Sequence, residues 1–243
     1  YKVKPEIIDF SEYGVPQRRK RFILVGILNG NEEDVKKFFV NIKTNRAEFL
    51  KSKGIDEDTS LDEAISDLLK SNGIGKSTDR KNFEFGKYGE ATSGYQKLMR
   101  NKIEVGEIAD SHSFPKHSIE TIEKFEYILS FAPRNLNIDK KIKKVYRLQK
   151  RTIVPLDPYL PTPTITTLPD DYVHYYEPRI LTVREYARIQ SFPDWYEFKG
   201  KYTTGGELRK IEVPRYTQIG NAIPPLFGEQ SGIILKEMTY GKK

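Results

Sequence analysis

Apolar and polar positions alternate at different periods along the chain. Residues 1–9, YKVKPEIID, read as a short strand. A turn at Tyr13-Gly14 and Val15-Pro16 follows, then a second strand from about Arg19 to Leu28. Within it, Phe22 to Leu28 is an unbroken apolar or small run, which predicts a strand buried on both faces. Asn29-Gly30 closes it. Two strands joined by one short turn predict a hairpin at the end of a sheet.

The period then changes. Val35, Phe38, Phe39 and Ile42 recur at helical spacing behind the acids Glu32, Glu33 and Asp34, so a helix with one apolar face is expected there. In SLDEAISDLLK, Ser60 and Glu63 stand at capping-box spacing, and Ala64, Ile65, Leu68 and Leu69 form the face to be buried. Ser71-Asn72-Gly73 is the expected stop. Residues 73–117 show weak periodicity and read as short strands and loops. A helix is expected over Ile119–Leu129, with Ser118 as cap and Pro133 beyond its end. DKKIKKVYRLQKR, 139–151, is strongly basic, and VPLDPYLPTPT after it is extended or looped because of its prolines. Thr182 and Glu185 open a short helix that ends before Pro193. Near the C-terminus, Pro224-Pro225 introduces a helix whose Phe227, Ile234 and Met238 share a face.

The strand from Arg19 is entered through four consecutive cations, Arg18, Arg19, Lys20 and Arg21. Side chains alternate along a strand, so Gln17, Arg19 and Arg21 point one way and Arg18 and Lys20 the other, with same-face neighbours ~7 Å apart. Two guanidiniums at the open end of a strand form a fork able to hold a carboxylate, a phosphate or a base carbonyl. A gatekeeper cluster capping a sheet edge accounts for the spacing equally well.

Composition narrows the chemistry. The chain has 243 residues, enough for one large domain or two smaller ones. Its net charge of +7 suggests a polyanionic partner, nucleic acid first, although solvated surface lysine also produces such a balance. There is no cysteine, which excludes disulfides, thiolate metal sites and a cysteine nucleophile within this chain. Three histidines, His112, His117 and His174, leave little for a metal site, and none is expected. No apolar run approaches the ~20 residues that cross a bilayer, and no signal peptide is visible, so an intracellular, cytoplasmic protein is expected, with no membrane partner. The chain opens on Tyr1 rather than Met, which fits a piece of something longer.

Three stretches together resemble one family, the cytosine-5 DNA methyltransferases. YGVPQRRKRFILVG is similar to the family's Gln-x-Arg-x-Arg motif through Gln17, Arg19 and Arg21. RILTVREYARIQSFPDWYEF resembles the motif that follows its target-recognition region, through Arg179, Leu181, Thr182, Arg184, Glu185 and Gln190, and PTPTIT before it also fits. QIGNAIPP resembles the last family motif through Gln218, Gly220, Asn221, Pro224 and Pro225. The three occur in the family's order, with a long insert between the first and second.

The resemblance implies an α/β fold: the last strands and C-terminal helix of a Rossmann-like methyltransferase sheet, plus a mixed α+β target-recognition domain. Residues 1–30 would end the catalytic domain, 31–178 would be the insert with the recognition domain, and 179–243 would return to the catalytic domain. Arg21 would reach O2 of a flipped cytosine, with Arg19 as neighbouring support to a phosphate or a carboxylate; Gln17 completes the motif, either at the site or as a turn-stabilising amide. Gly220, Asn221 and Ala222 would return to the S-adenosylmethionine pocket, and an Asn cap at a helix N-terminus is the plainer role for Asn221. Double-stranded DNA would be gripped by Lys97, Arg100, Lys102, Lys140, Lys141, Lys143, Lys144, Arg147, Lys150 and Arg151, with Arg184 at the recognition domain. A basic run of this kind is also what a solvated face looks like. His112 and His117 would serve polar roles in a loop, Glu185 would cap its helix, and Gln190 and Gln218 would be structural.

The family's Pro-Cys, Glu-Asn-Val and Gly-rich cofactor motifs are absent from these residues. The resemblance therefore implies the C-terminal part of a methyltransferase, inactive alone. Its thiolate and most of its cofactor contacts would come from a missing N-terminal portion or a companion subunit, and the resemblance implies a prokaryotic restriction-modification setting. The alternative is a non-catalytic, sequence-specific DNA-binding protein derived from the same fold. An RNA methyltransferase relative is disfavoured, because the cysteine-containing tripeptide of that branch cannot exist here.

Overall fold

The computed structural model describes residues 1–76, 79–101, 103–204 and 211–240. Strand β1 (Lys2–Asp9) pairs antiparallel with β3 (Lys20–Ile27) along its whole length, from Lys2 opposite Ile27 to Asp9 opposite Lys20; β2 (Gln17–Arg18) lies between them in sequence. The expected short turn is replaced by a buried excursion. A 3-10 turn at Phe10–Tyr13 is capped by the Asp9 side chain and closed by Gly14 at φ 74°. A Cβ at Gly14 would lie 2.8 Å from the Leu50 side chain and 2.9 Å from that of Ile55, so the position needs glycine for both torsion and space. Phe10 and Tyr13 then pack on Phe227, with ring centroids 4.8 and 5.2 Å apart.

The expectation that β3 is buried on both faces is corrected. Ile23, Val25 and Ile27 face inward, but Phe22 and Leu24 are 66% and 57% exposed. The inner face is covered by α1 (Glu32–Thr44), whose Val35, Phe38, Phe39 and Ile42 are all buried as their spacing predicts. Asn31 and Asp34 form its capping box. Helix α2 (Arg46–Lys53) follows, and then α3 (Leu61–Ile65), opened by the Ser60–Glu63 capping box. Helix α3 stops early. The backbone turns extended at Leu69 (φ −62°, ψ 145°), and short 3-10 turns lie either side of it. Leu68 is still buried, which the periodicity caught, but not as part of one long helix.

The region 73–117 holds strands β4 (Ile74–Lys76), β5 (Glu84–Lys87) and β6 (Ile108–Ser113) in one antiparallel sheet. It also holds a helix absent from the strands-and-loops reading, α4 (Gly94–Arg100), started by a Ser93–Gln96 capping box. Helix α5 (Ile119–Phe131) begins at the Ser118 cap as expected, and the basic run contains the one-turn-and-a-half helix α6 (Lys140–Val145), capped by Asp139. These two helices share a small core of Phe125, Ile128, Ile138, Ile142, Ile153 and Val173, separate from the main one.

The proline-rich stretch is extended, as expected, and contributes β7 (Val154–Pro155) and β8 (Thr162–Pro163); β9 (Tyr172–Val173) comes next. Strand β7 pairs parallel with β9, and β8 pairs parallel with β2. Helix α7 (Val183–Ile189) has every residue buried. Helix α8 (Arg215–Asn221) and α9 (Pro225–Tyr240) end the described chain. The architecture is mixed α/β. The described residues build small sheets of two or three strands and, by themselves, no extended parallel sheet.

Helix α7 is buried all round yet carries charge, so each charge is matched. Arg188 donates to both carboxylate oxygens of Asp194 at 2.6 Å and to both of Asp67 at 3.1–3.2 Å. Arg179 forms a two-pronged pair with Glu185, which also closes the Thr182 capping box. His112 lies in the core, its ring nitrogens 2.7 Å from Thr182 Oγ1 and from the Leu68 carbonyl. Burial holds His112 down to about 4; burial and the Arg179 charge hold His174 down to about 3. Among the described residues no helix is long and apolar enough to cross a membrane.

The histidines set a pH dependence. The unfolded chain takes up protons below pH about 6.5, while the folded chain resists until its lowered pKa values are reached, so stability is lost as pH falls. Glu185, held well below the usual carboxylate range chiefly by Arg179 against the cost of burial, loses stability in the same direction at lower pH. Urea unfolding at pH 7.5 and 5.0 checks this: a drop of about 2 kcal/mol per histidine is the ceiling (1.36 kcal/mol for each of 1.5 pH units), and a His112→Asn variant shows a shallower slope. An unchanged midpoint between the two pH values would contradict it.

Candidate functional site

The three motif-bearing stretches converge on one set of amides and guanidiniums. Gln17 Nε2 donates to Gln190 Oε1 at 2.5 Å, and Gln190 Nε2 donates to the Ala222 carbonyl at 2.6 Å. Gln17 Oε1 accepts from the Ile165 backbone N–H at 3.0 Å. Arg19 Nη2 donates to the Gly220 carbonyl at 2.7 Å and Nη1 to the Ile165 carbonyl at 3.3 Å. Gln17 and Arg19 on the strand side, 165 beyond the proline-rich stretch, Gln190 after α7, and 220–222 at the C-terminal end of α8 are thus tied together, although they lie up to 201 positions apart. Gln17, Arg19 and Gln190 are all buried.

Arg19 therefore acts as a latch. Its Nη groups are engaged by backbone carbonyls, its Nε is buried with no hydrogen-bond partner, and no carboxylate lies within ion-pair distance of it among the described residues. Burial first, and the Arg21 charge second, pull its pKa down to about 10. Arg21 is different. It is half-buried, and its hydrogen bond is to the neighbouring Lys20 carbonyl, at 2.8 Å. Two cations side by side without a carboxylate form a positive site whose charge is unanswered within the described residues. Such a site favours an anion or an electron-rich carbonyl. Arg18 and Lys20 are exposed on the opposite side, as alternation requires.

At the 220–222 turn, a Cβ on Gly220 would meet the Thr166 carbonyl oxygen at 2.7 Å, so the close approach of this helix to the proline-rich segment needs glycine. The carbonyls of Gly220 and Ala222 are engaged by Arg19 and Gln190, whereas the Asn221 side chain is exposed. Asn221 closes α8 at its C-terminal end and is not an N-cap.

The candidate nucleic-acid contacts divide. Lys97, Lys140, Lys141, Lys144, Arg147 and Arg151 are exposed. Lys143 is half-buried and donates to the Arg151 carbonyl; Lys150 is ion-paired with Asp170 and Asp171. Lys102 lies outside the described residues. Two expectations are corrected. Arg100 is 4% exposed and donates to the Gly89 and Ile103 carbonyls, and Arg184 is fully buried and donates to Asp110, Pro193 and Tyr196. Both guanidiniums are held inside the protein and do not reach a groove. His117 accepts from the Ile180 N–H at 3.3 Å, and among the described residues no group of His, Asp and Glu is arranged to hold a metal ion. Spacing marked Gln190 only as structural; its two-way bridge needed the folded contacts to appear.

The chain is mixed α/β, and in it Arg19 is locked to a helix turn beside Arg21, with no carboxylate ion-paired to either among the described residues. The family profile described as C-5 cytosine-specific DNA methylase matches residues 1–236, and the chain belongs to that family. It is similar to the type II methyltransferase M.DdeI of Desulfomicrobium norvegicum, at 30% identity over 94% of this chain and 53% of that protein. It is also similar to the type II methyltransferase M.AquIB of Picosynechococcus, at 38% identity over 40% of this chain and 76% of that protein. A solved structure described as a DNA modification methyltransferase encoded within an E. coli prophage shares the fold, with TM-score 0.61 at 18% identity, over 98% of this chain and 61% of that one. The chain spans about half the length of most of the curated relatives it matches.

Neighbouring arginines should respond oppositely to truncation. Arg19→Ala strands two buried carbonyls and a cavity and is expected to cost about 2–4 kcal/mol, whereas Arg21→Ala stays within about 0.5 kcal/mol. Gly220→Ala, forced against the Thr166 carbonyl, is expected to cost about 1–3 kcal/mol. Denaturant melts of the three variants check this; equal losses for Arg19→Ala and Arg21→Ala would contradict the division of labour.

Proposed function

We propose that the chain is the C-terminal part, or a subunit, of a DNA (cytosine-5-)-methyltransferase that transfers methyl from S-adenosylmethionine to cytosine in a specific duplex site. The observation that carries this is the Arg19–Arg21 pair: Arg19 is held beside the amide network, Arg21 stands next to it, and no carboxylate among the described residues is ion-paired to either. In this reading 1–30 ends a Rossmann-like catalytic domain, 31–178 is the insert with the target-recognition domain, and 179–243 returns to the catalytic domain.

The chemistry of each residue follows from its surroundings. Arg21, with no carboxylate ion-paired to it among the described residues, stabilises negative charge that builds on the O2 side of an extruded pyrimidine when a nucleophile adds to the ring. Arg19 holds the strand in place and offers its unpartnered Nε to a carboxylate brought by another segment. Bound S-adenosylmethionine supplies an electrophilic methyl group. Asn221, whose side chain is exposed, would hold its polar groups, and Gly220 and Ala222 would shape the turn through carbonyls already engaged. The exposed cations of α6, Lys140, Lys141 and Lys144, grip DNA phosphates without reading sequence.

With no cysteine present, the attacking thiolate comes from a preceding segment or a companion chain. M.AquIB supports such a division, since 106 aligned residues already make up 76% of it and it is shorter than this chain. The missing cysteine equally supports a second reading, a DNA-binding protein of the same fold that takes no cofactor.

Co-expression with the upstream coding segment, followed by methyl transfer from labelled cofactor to plasmid DNA, separates the two. Label is expected with the pair and not with this chain alone, and Arg21→Ala is expected to lower the rate by about 100-fold or more without loss of fold. Methylation by the lone chain, or none by a folded, DNA-bound pair, would overturn the proposal. Replacing Lys140, Lys141 and Lys144 with alanine is expected to flatten the salt dependence of DNA binding by about 2–3 in log–log slope; an unchanged slope would remove α6 from the interface.

A further inference from the structure

Lys150 belongs to the basic run that spacing marks for DNA phosphates, yet the fold turns it inward. Its ammonium nitrogen is buried, 2.5 Å from Asp170 Oδ2 and 3.0 Å from Asp171 Oδ1. Asp171 is itself 5% exposed, and its other oxygen accepts from the Thr166 hydroxyl at 2.8 Å. Through Asp171 the cation therefore holds both ends of the turn over residues 166–171. That turn is the floor beneath Arg19. The Ile165 carbonyl accepts from Arg19, the Ile165 N–H donates to Gln17, and the Thr166 carbonyl is the atom against which Gly220 lies. On the chain's other side Lys150 is rooted in the unit formed by α5 and α6. Lys143 Nζ and the Asn137 amide both donate to the Arg151 carbonyl, at 2.6 and 3.0 Å, and the Ile153 N–H donates to Asn137 at 2.9 Å. Leu148 and Ile153 pack in the small core of those two helices.

We infer that Lys150 is a positioning residue, not a phosphate contact: its ion pairs with Asp171 and Asp170 fix the 165–171 turn against the α5–α6 unit and so hold Arg19 in register with the cations that grip DNA. The inference rests on the functional reading above and adds to it the part that joins the phosphate grip to the arginine pair. The β7–β9 pairing fixes residues 172 and 173, just past this turn, and leaves the turn itself to the lysine. A carboxylate as buried as Asp171 is stable as an anion only with a cation beside it. Without Lys150, the Thr166 hydroxyl alone answers that charge, and the turn opens to let the carboxylate reach water. Arg19 then loses the fixed Ile165 carbonyl, and the place of Arg21 beside it loosens. A reacting group displaced by about 1 Å can cost as much as 100-fold in rate.

The test compares Lys150→Gln, Lys150→Arg and Thr166→Val with wild type, in the full chain alone and co-expressed with the upstream coding segment. In the lone chain, hydrogen exchange of the Ile165 amide is expected to quicken by about tenfold or more in Lys150→Gln and in Thr166→Val. Lys150→Arg, whose guanidinium also bridges two carboxylates, is expected to restore wild-type protection. In the co-expressed pair, kcat for methyl transfer is expected to fall by about tenfold or more in Lys150→Gln, with KM for DNA within about twofold and with recovery in Lys150→Arg. The salt dependence of DNA binding is expected to stay unchanged, whereas loss of a phosphate contact lowers its log–log slope by about 1. A slope lowered by that amount would overturn the proposal, and so would unchanged exchange at Ile165, unchanged kcat in an active pair, or no recovery with arginine. Thr166→Val carries the exchange test if Lys150→Gln does not fold. A wild-type pair that transfers no methyl group would defeat the catalytic reading, while the exchange measurement still decides whether Lys150 holds the turn.

Discussion

Four hydrogen bonds, from Gln17 of β2, from Arg19 between β2 and β3, and from Gln190 after α7, hold this molecule's motifs together. Gln17 and Gln190 join amide to amide, Gln190 continues to the Ala222 carbonyl, and Arg19 reaches the carbonyls of Ile165 and Gly220. Three of them are buried and the Gln190–Ala222 bond is partly so, where an unmade hydrogen bond costs more than in water and a made one is correspondingly directional. The arrangement needs glycine at 220 because the helix turn lies against the Thr166 carbonyl. Its consequence is electrostatic. Arg19 is fixed as a buried cation by neutral carbonyls, so its charge is left over and reinforces that of Arg21.

The second constraint is α7. A helix with all seven residues buried, among them Arg184, Glu185 and Arg188, is stable only because every charge is paired or hydrogen-bonded inside the protein. Removing one partner leaves the other desolvated and alone. The helix thereby locks β6 through Asp110 and the α3 region through Asp67, and it delivers Gln190 to the Gln17 amide.

Much of this was legible in the sequence where local chemistry decides. The capping boxes at Ser60–Glu63 and Thr182–Glu185, the Ser118 cap and the buried face of α1 all follow from spacing. So does the alternation that sends Arg18 and Lys20 away from Gln17 and Arg19. What escaped was set by distant partners. Phe22 and Leu24 look like core residues in a seven-residue apolar run, yet nothing in this chain covers them among the described residues. Arg100 and Arg184 look like surface cations, yet backbone carbonyls from other segments draw them inside. Helix α4 was hidden because its apolar positions, Tyr95 and Met99, make only one turn of pattern. The two roles within Gln-x-Arg-x-Arg, a latch at Arg19 and an available cation at Arg21, differ only in which carbonyls stand nearby, and spacing carries no trace of that.

The account depends on Gln17 and Gln190 acting as one unit, and a double-mutant cycle reads this directly. Unfolding free energies of Gln17→Ala, Gln190→Ala and the double variant would be measured under one set of conditions. The account predicts a coupling energy of about 1 kcal/mol or more, since the second truncation removes a partner already lost. Additive losses, with a coupling energy near zero, would contradict it.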